Sequence, residues 1–236
     1  AEGPVVVASN HLAVMDSFYL PLLVPRKMTF LAKKEYFTGT GLSGAIQKWF
    51  FTSVGQVPID RSDKDSQTAA MATGLRVLER GELHGMYPEG TRSPDGRLYR
   101  GRTGVVRLAL ATGSPVVPVG LVGVDEIQPI EASVPKVRSF TATFDEPFDV
   151  TSFVQSLHAG ESAEEQNRAV LHPRRDDLRA ATDEIMRRYL GAHFGGVEVV
   201  EKAEFVTADL MVVAPVHQDG LVLPESGPGG GAAGSG

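Results

Sequence analysis

The stretch Val5-Val6-Val7-Ala8-Ser9-Asn10-His11-Leu12-Ala13-Val14-Met15-Asp16 sets the architecture. Four apolar residues in a row, Val5 to Ala8, read as a strand buried on both faces. A second apolar run, Phe18 to Leu23, leaves the stretch and reads as a short helix over Asp16 to Val24, with Pro21 near its start. His11 and Asp16 are five residues apart. On one uninterrupted helix that spacing would set them ~140° apart around the axis. Contact between the two side chains therefore needs a strand ending near Ser9, a turn holding His11, and a helix starting near Met15 to Ser17. Histidine takes and returns a proton near neutrality. A carboxylate beside it fixes its tautomer and stabilises the imidazolium that forms. The same residues also suit a plain loop histidine beside an unrelated N-cap aspartate, because Asp ahead of an apolar run is a helix-start signal.

Outward from this stretch the chain alternates. Strands are expected at Met28–Ala32, Val54–Ile59, Leu83–Tyr87, Val116–Gly120 and Val137–Phe144. Helices are expected at Leu42–Thr52, at Ser66–Arg80 with Gly81 as the stop, and at Thr103–Thr112 with Gly113 as C-cap. This order predicts an α/β domain with a largely parallel central sheet flanked by helices, and a site at the carboxyl ends of the strands. His11, Arg61 and the segment Glu89–Arg92 each follow an expected strand. Gln155 to Arg175 is polar and without a clear period, and reads as a loop or insertion. Asp176 to Phe194 reads as an amphipathic helix through Leu178, Ala181, Ile185, Met186, Tyr189 and Leu190. The domain is expected to span 1–194, followed by an irregular extension over 195–226, which could hold strands at Val197–Val213, and a disordered Gly-rich tail over 227–236.

Composition narrows the chemistry. The chain has 236 residues and no cysteine, so a disulfide framework, a thiolate metal site and a cysteine nucleophile are excluded. The formal charge of −6 is uneven: residues 1–140 hold 16 Lys and Arg against 13 Asp and Glu, and residues 141–236 hold 7 against 16. The mildly basic first part suits an anionic substrate or membrane surface. No stretch reaches ~18 uncharged apolar residues, so no transmembrane helix is expected. The chain opens on Ala1 just ahead of a strand, which looks like a trimmed N-terminus that leaves an upstream anchor or signal open. Gly39-Thr40-Gly41-Leu42-Ser43-Gly44 matches a dinucleotide fingerprint literally, but that reading needs a strand directly before it and a helix after it. A glycine-rich turn ahead of a helix explains it as well. Trp49, Phe50 and Phe51 beside Lys48 suit either a lipid interface or a core.

Four ordered blocks then stand out: Asn10-His11-x4-Asp16, Gly55-Gln56-Val57-Pro58-Ile59-Asp60-Arg61, Tyr87-Pro88-Glu89-Gly90-Thr91-Arg92-Ser93, and Val116-Val117-Pro118-Val119. In this order and at these distances, across residues 1 to 150, the chain resembles the glycerolipid acyltransferase family, and within it the bacterial 1-acyl-sn-glycerol-3-phosphate acyltransferases (lysophosphatidic acid acyltransferases). The resemblance implies transfer of a fatty acyl group from acyl-CoA or acyl carrier protein to a lysophospholipid, with no metal and no other cofactor. It implies His11 as general base, Asp16 as its orienting partner, and glycerol-phosphate contacts from Arg61 and Glu89-Gly90-Thr91. The residues agree by their own chemistry. Arg92 joins Arg61 because arginine binds oxyanions bidentately. Lys33, after the second strand, is a further phosphate candidate. Asn10 is a candidate oxyanion donor or positioning group. His84 reads as structural, and Arg97, Arg100 and Arg102 as a solvated loop. The expected setting is peripheral, on the cytoplasmic face of a membrane, with no nucleic-acid partner. Other acceptors, such as glycerol 3-phosphate, another lysophospholipid or a glycolipid hydroxyl, would use the same chemistry. A non-catalytic lipid-binding module is the competing class.

Overall fold

A computed structural model describes residues 2–53, 55–59, 66–129 and 136–194. Among these, β1 (Val5–Ser9) lies near the centre of a six-stranded sheet ordered β3-β2-β4-β1-β5-β6. The other strands are β2 (Met28–Lys33), β3 (Gln56–Ile59), β4 (Leu83–Met86), β5 (Val116–Val122) and β6 (Thr141–Phe144). Strands β1 to β5 run parallel, and β6 is antiparallel to β5. The carboxyl ends of five strands therefore share one edge.

Every residue of β1 is buried. Alternate side chains of a strand point to opposite faces. Val6 and Ala8 join one core with Leu108, Val154, Ile185 and Tyr189, while Val5 and Val7 join the other with Ala13, Leu20, Phe30 and Leu121. An unbroken apolar run is what a strand covered on both faces requires, and each buried valine contributes ~1.5–3 kcal/mol.

Helices complete the layers: α1 (Asp16–Leu23), α2 (Gly41–Ser53), α3 (Ser66–Glu79), α4 (Gly104–Thr112), the single turn α5 (Val124–Ile127), α6 (Val150–Leu157), α7 (Ala163–Leu171) and α8 (Arg175–Phe194). A 3₁₀ turn, Lys34–Phe37, sits between β2 and α2. Gly113 ends α4 with a φ of 63°, as the C-cap expectation required.

Two stretches differ from expectation. Gln155 to Arg175 is not a loop. It contains the end of α6, capped by Asp149, and all of α7, which opens on a capping box between Ser162 and Glu165. These helices read as polar because they are short and bury few residues: Val150 and Val154 from α6, and Ala169 from α7. The sixth strand is also shorter than expected. Residues 136–140 are irregular, with Val137 fully exposed, and pairing with β5 begins at Thr141.

The glycine-rich segment leads into α2, whose first turn is Gly41-Leu42-Ser43-Gly44. The 3₁₀ turn precedes it where a dinucleotide fingerprint needs a strand. Gly44 approaches Gly39 so closely that a Cβ there would lie 2.1 Å from the Gly39 carbonyl. The aromatic cluster on α2 divides. Phe51 is core, edge-on to Phe18 at 5.1 Å, whereas Trp49 is 70% exposed. The expected strands at 197–213 and the Gly-rich tail lie outside the described residues, as does Arg61.

Candidate active site

The chain leaves β1 at Ser9, turns through His11 and enters α1 at Asp16. That break in regular structure brings His11 Nδ1 to 2.9 Å from Asp16 Oδ2. The same oxygen accepts the backbone N–H groups of Leu12 at 2.6 Å and Ala13 at 2.9 Å. Asp16 is fully buried and His11 is 17% exposed. A carboxylate oxygen already accepting two amides is an acceptor toward the ring as well. Nδ1 therefore carries the hydrogen and donates it, which leaves the Nε2 lone pair available. Asp16 Oδ1 has no hydrogen-bond partner among the described residues.

The loop after β4 grips His11 from the other side. Its backbone N–H donates to Glu89 Oε1 at 3.0 Å, and its carbonyl accepts from Ser93 N at 2.8 Å. Glu89 Oε2 accepts Tyr99 N at 2.9 Å. Burial pushes the Glu89 carboxyl up to about 7, against the lowering effect of the two amides, Tyr99 and His11. The Tyr87 ring lies flat on the His11 imidazole, with centroids 3.8 Å apart and planes 8° from parallel. Gly90 turns the loop at a φ of 77°, a conformation that favours glycine.

Asn10 is buried, and Leu121 engages both ends of its side chain. Nδ2 donates to the Leu121 carbonyl at 2.9 Å, and the Leu121 N–H donates to Oδ1 at 2.8 Å. The amide thus copies a strand rung between β1 and β5 just past Ser9. Of the two roles expected for Asn10, these bonds fit the positioning one: Asn10 holds the chain ahead of His11. The main-chain amides of His11, Leu12 and Ala13 are likewise committed, to Glu89 and Asp16.

Glu89, expected among the phosphate contacts, faces the protein interior. Its buried carboxylate is a poor partner for a phosphate, and both oxygens bind the protein's own amides. Gly90 and Thr91 are exposed, and Arg92 is half-buried one residue before Ser93. Lys33 ends β2 at the same sheet edge. Arg102, assigned to a solvated loop by sequence, belongs to this neighbourhood. Its N–H donates to the Pro88 carbonyl at 2.7 Å, and its Nε lies 3.0 Å from where a Cβ on Gly90 would stand. No local pattern signals that contact, because it joins the two ends of the long loop between β4 and α4. His84 is structural. It is buried in β4 with Nδ1 3.1 Å from the Thr29 carbonyl, and burial lowers it to about 4.

A base-competent histidine, a buried carboxylate partner and a cation-bearing loop at one sheet edge form a site suited to removing a proton from a substrate that carries an anion. The family profile described as Acyltransferase matches residues 1–122, and the chain belongs to that family. It is 34% identical over 129 residues to a chloroplastic 1-acyl-sn-glycerol-3-phosphate acyltransferase of Brassica napus, covering 55% of this chain and 36% of that protein. It is 28% identical over 125 residues to the 1-acyl-sn-glycerol-3-phosphate acyltransferase of Bacillus subtilis, covering 52% of this chain and 58% of that one. Among solved structures it is similar to the 1-acyl-sn-glycerophosphate (LPA) acyltransferase PlsC from Thermotoga maritima. There the TM-score is 0.54 at 25% identity, over 80% of this chain and 65% of that one. The chain spans about a third of the Brassica relative's length and over half of the Bacillus one's.

Proposed function

We propose that the protein moves a fatty acyl group from acyl-CoA or acyl carrier protein to the free hydroxyl of 1-acyl-sn-glycerol 3-phosphate, giving phosphatidic acid. The observation that carries this reading is the His11–Asp16 pair, with its Nδ1–H held by a buried carboxylate at the carboxyl edge of the sheet. His11 Nε2 takes the hydroxyl proton as the oxygen attacks the thioester carbonyl. The tetrahedral intermediate then expels the thiolate, which recovers the proton from the imidazolium. Atoms and charge balance without a metal or a redox partner. The acceptor phosphate is held by arginine forks and a hydroxyl: Arg92 and Thr91, with Arg61 and Lys33 as further contacts. The names of the relatives support this acceptor, since each is called a 1-acyl-sn-glycerol-3-phosphate or LPA acyltransferase.

The protein works peripherally on the cytoplasmic face of a membrane, where the lysophospholipid acceptor's acyl chain resides. No helix among the described residues is long and apolar enough to cross a membrane. Trp49 on α2, and Leu22 and Leu23 at the end of α1, expose apolar surface suited to an interface.

The test is thiol release by the purified protein, supplied with acyl-CoA and separately with acyl carrier protein. The acceptors are lysophosphatidic acid, glycerol 3-phosphate, lysophosphatidylcholine and a glycolipid hydroxyl. The proposal requires lysophosphatidic acid to give the highest kcat/KM. Preference for another acceptor reassigns the substrate, and no transfer to any of them overturns the reading.

A further inference from the structure

One hydrogen bond does not fix a ring. The Nδ1–H to Asp16 bond sets one edge of the imidazole but leaves its plane free to rock about that edge. A base that must meet a hydroxyl along one line needs the plane fixed too. The face of His11 is covered by Tyr87 at 3.8 Å and 8°. We propose that Tyr87 is the positioning residue for His11: its ring holds the imidazole plane, and its π face stabilises the imidazolium that forms as the hydroxyl proton is taken. This rests on the reading of His11 as the general base.

Tyr87 is itself held from two sides. Behind it, the ring of Phe30 stacks at 5.2 Å and 22°, making a column of three rings, His11–Tyr87–Phe30. That column needs Gly85, because a Cβ there would stand 2.2 Å from Phe30 Cζ. At its tip, the Tyr87 hydroxyl lies 2.7 Å from Ser17 Oγ. Ser17 in turn is fixed by its carbonyl, which accepts Gln56 Nε2 at 2.8 Å. The tyrosine is therefore a rigid wall and not a mobile cover. The wall has a second effect. A cation facing an aromatic ring is favoured over a neutral group there, and the preference strengthens as water is excluded. His11 is neutral before proton transfer and cationic after it, so the stack favours the state the reaction creates.

The experiment compares Tyr87→Phe, Tyr87→Leu and His11→Ala, reading kcat and KM for acyl-CoA with lysophosphatidic acid. It adds the one-dimensional NMR position of the His11 ring protons, assigned by their loss in His11→Ala. Tyr87→Leu is expected to lower kcat ~10-fold with little change in KM, as for an interaction made mainly in the transition state. Tyr87→Phe keeps the ring and stays within about threefold of wild type. In wild type and Tyr87→Phe the His11 ring protons are displaced upfield by the facing ring, and in Tyr87→Leu they return toward the free-imidazole position. An active His11→Ala overturns the general-base reading itself. With His11→Ala inactive, three results overturn only the present inference: wild-type kcat in Tyr87→Leu, an effect confined to KM, or a loss in Tyr87→Phe as large as in Tyr87→Leu. Absence of the upfield displacement in the folded wild-type protein overturns it as well, whether or not Tyr87→Leu folds.

Discussion

At the scale of the residue, Asp16 has the most demanding environment. One of its oxygens receives three donors, the ring of His11 and two backbone amides, and its side chain is fully buried. Asp16→Asn can keep an oxygen in that position and so keep the loop, but it loses the negative charge that stabilises an imidazolium. The expected result is a folded protein with kcat lowered ~10²-fold or more, checked by thiol release beside a circular dichroism spectrum. An equally active Asp16→Asn would show that charge at this position is not used. The His11–Asp16 contact was legible in sequence because it is local: two residues five apart between a strand and a helix. The partners of Asn10 and Glu89 were not. Asn10 is fixed by Leu121, 111 residues on, and Glu89 by His11, 78 residues back. Side chains of these types serve ligands and backbone equally well, and only the folded partner decides between the two.

At the scale of the element, α1 contains a proline that a regular helix would reject. Pro21 is the sixth of its eight residues. It has no N–H to give to the Ser17 carbonyl one turn back. Gln56 on β3 supplies the missing donor at 2.8 Å. The two changes should therefore couple. Gln56→Leu alone leaves the Ser17 carbonyl unpaired at a cost of about 1–3 kcal/mol. In a Pro21→Ala background, where the substituted residue has a backbone N–H to donate within the helix, the same change should cost distinctly less. Urea unfolding of the four proteins in this cycle measures the coupling, and strictly additive costs would contradict it. Elements with strong periods were legible: β1, α3, α4 and α8 all lie within a few residues of expectation. Segments α6 and α7 were missed because a short helix with one or two buried positions shows no clear period. The signal that finds α7 is the capping box itself, Ser162-Ala163-Glu164-Glu165. Lying just N-terminal to Gln166, it stands inside a segment whose polarity argued for a loop.

At the scale of the whole molecule, two buried titrating groups act on stability in opposite directions. Between about pH 4.5 and 7 the unfolded chain has released the Glu89 proton and the folded chain has kept it, so from this group stability falls as pH rises. Between about pH 4 and 6.5 the unfolded chain binds a proton on His84 that the folded chain refuses, so from this group stability rises with pH. Each effect is about 3 kcal/mol in full, and they largely offset one another where the windows overlap. Glu89→Gln removes the first and leaves the second. Its unfolding free energy relative to wild type should therefore climb from pH 4.5 to 7 and level off above, as read by urea melts at stepped pH. A difference that stays constant would contradict the burial argument for Glu89. The sheet was legible because apolar runs, glycine stops and strand–helix alternation are whole-chain patterns, and the shared carboxyl edge follows from parallel order alone. The three-ring column through Phe30 was not, since it depends on Gly85 leaving room for a ring from the neighbouring strand. The most direct test of the account is thiol release from acyl-CoA with lysophosphatidic acid by wild type and His11→Ala, both shown to be folded. The account predicts transfer by wild type and a fall of ~10²-fold or more in the variant, and turnover by His11→Ala near the wild-type rate would contradict it.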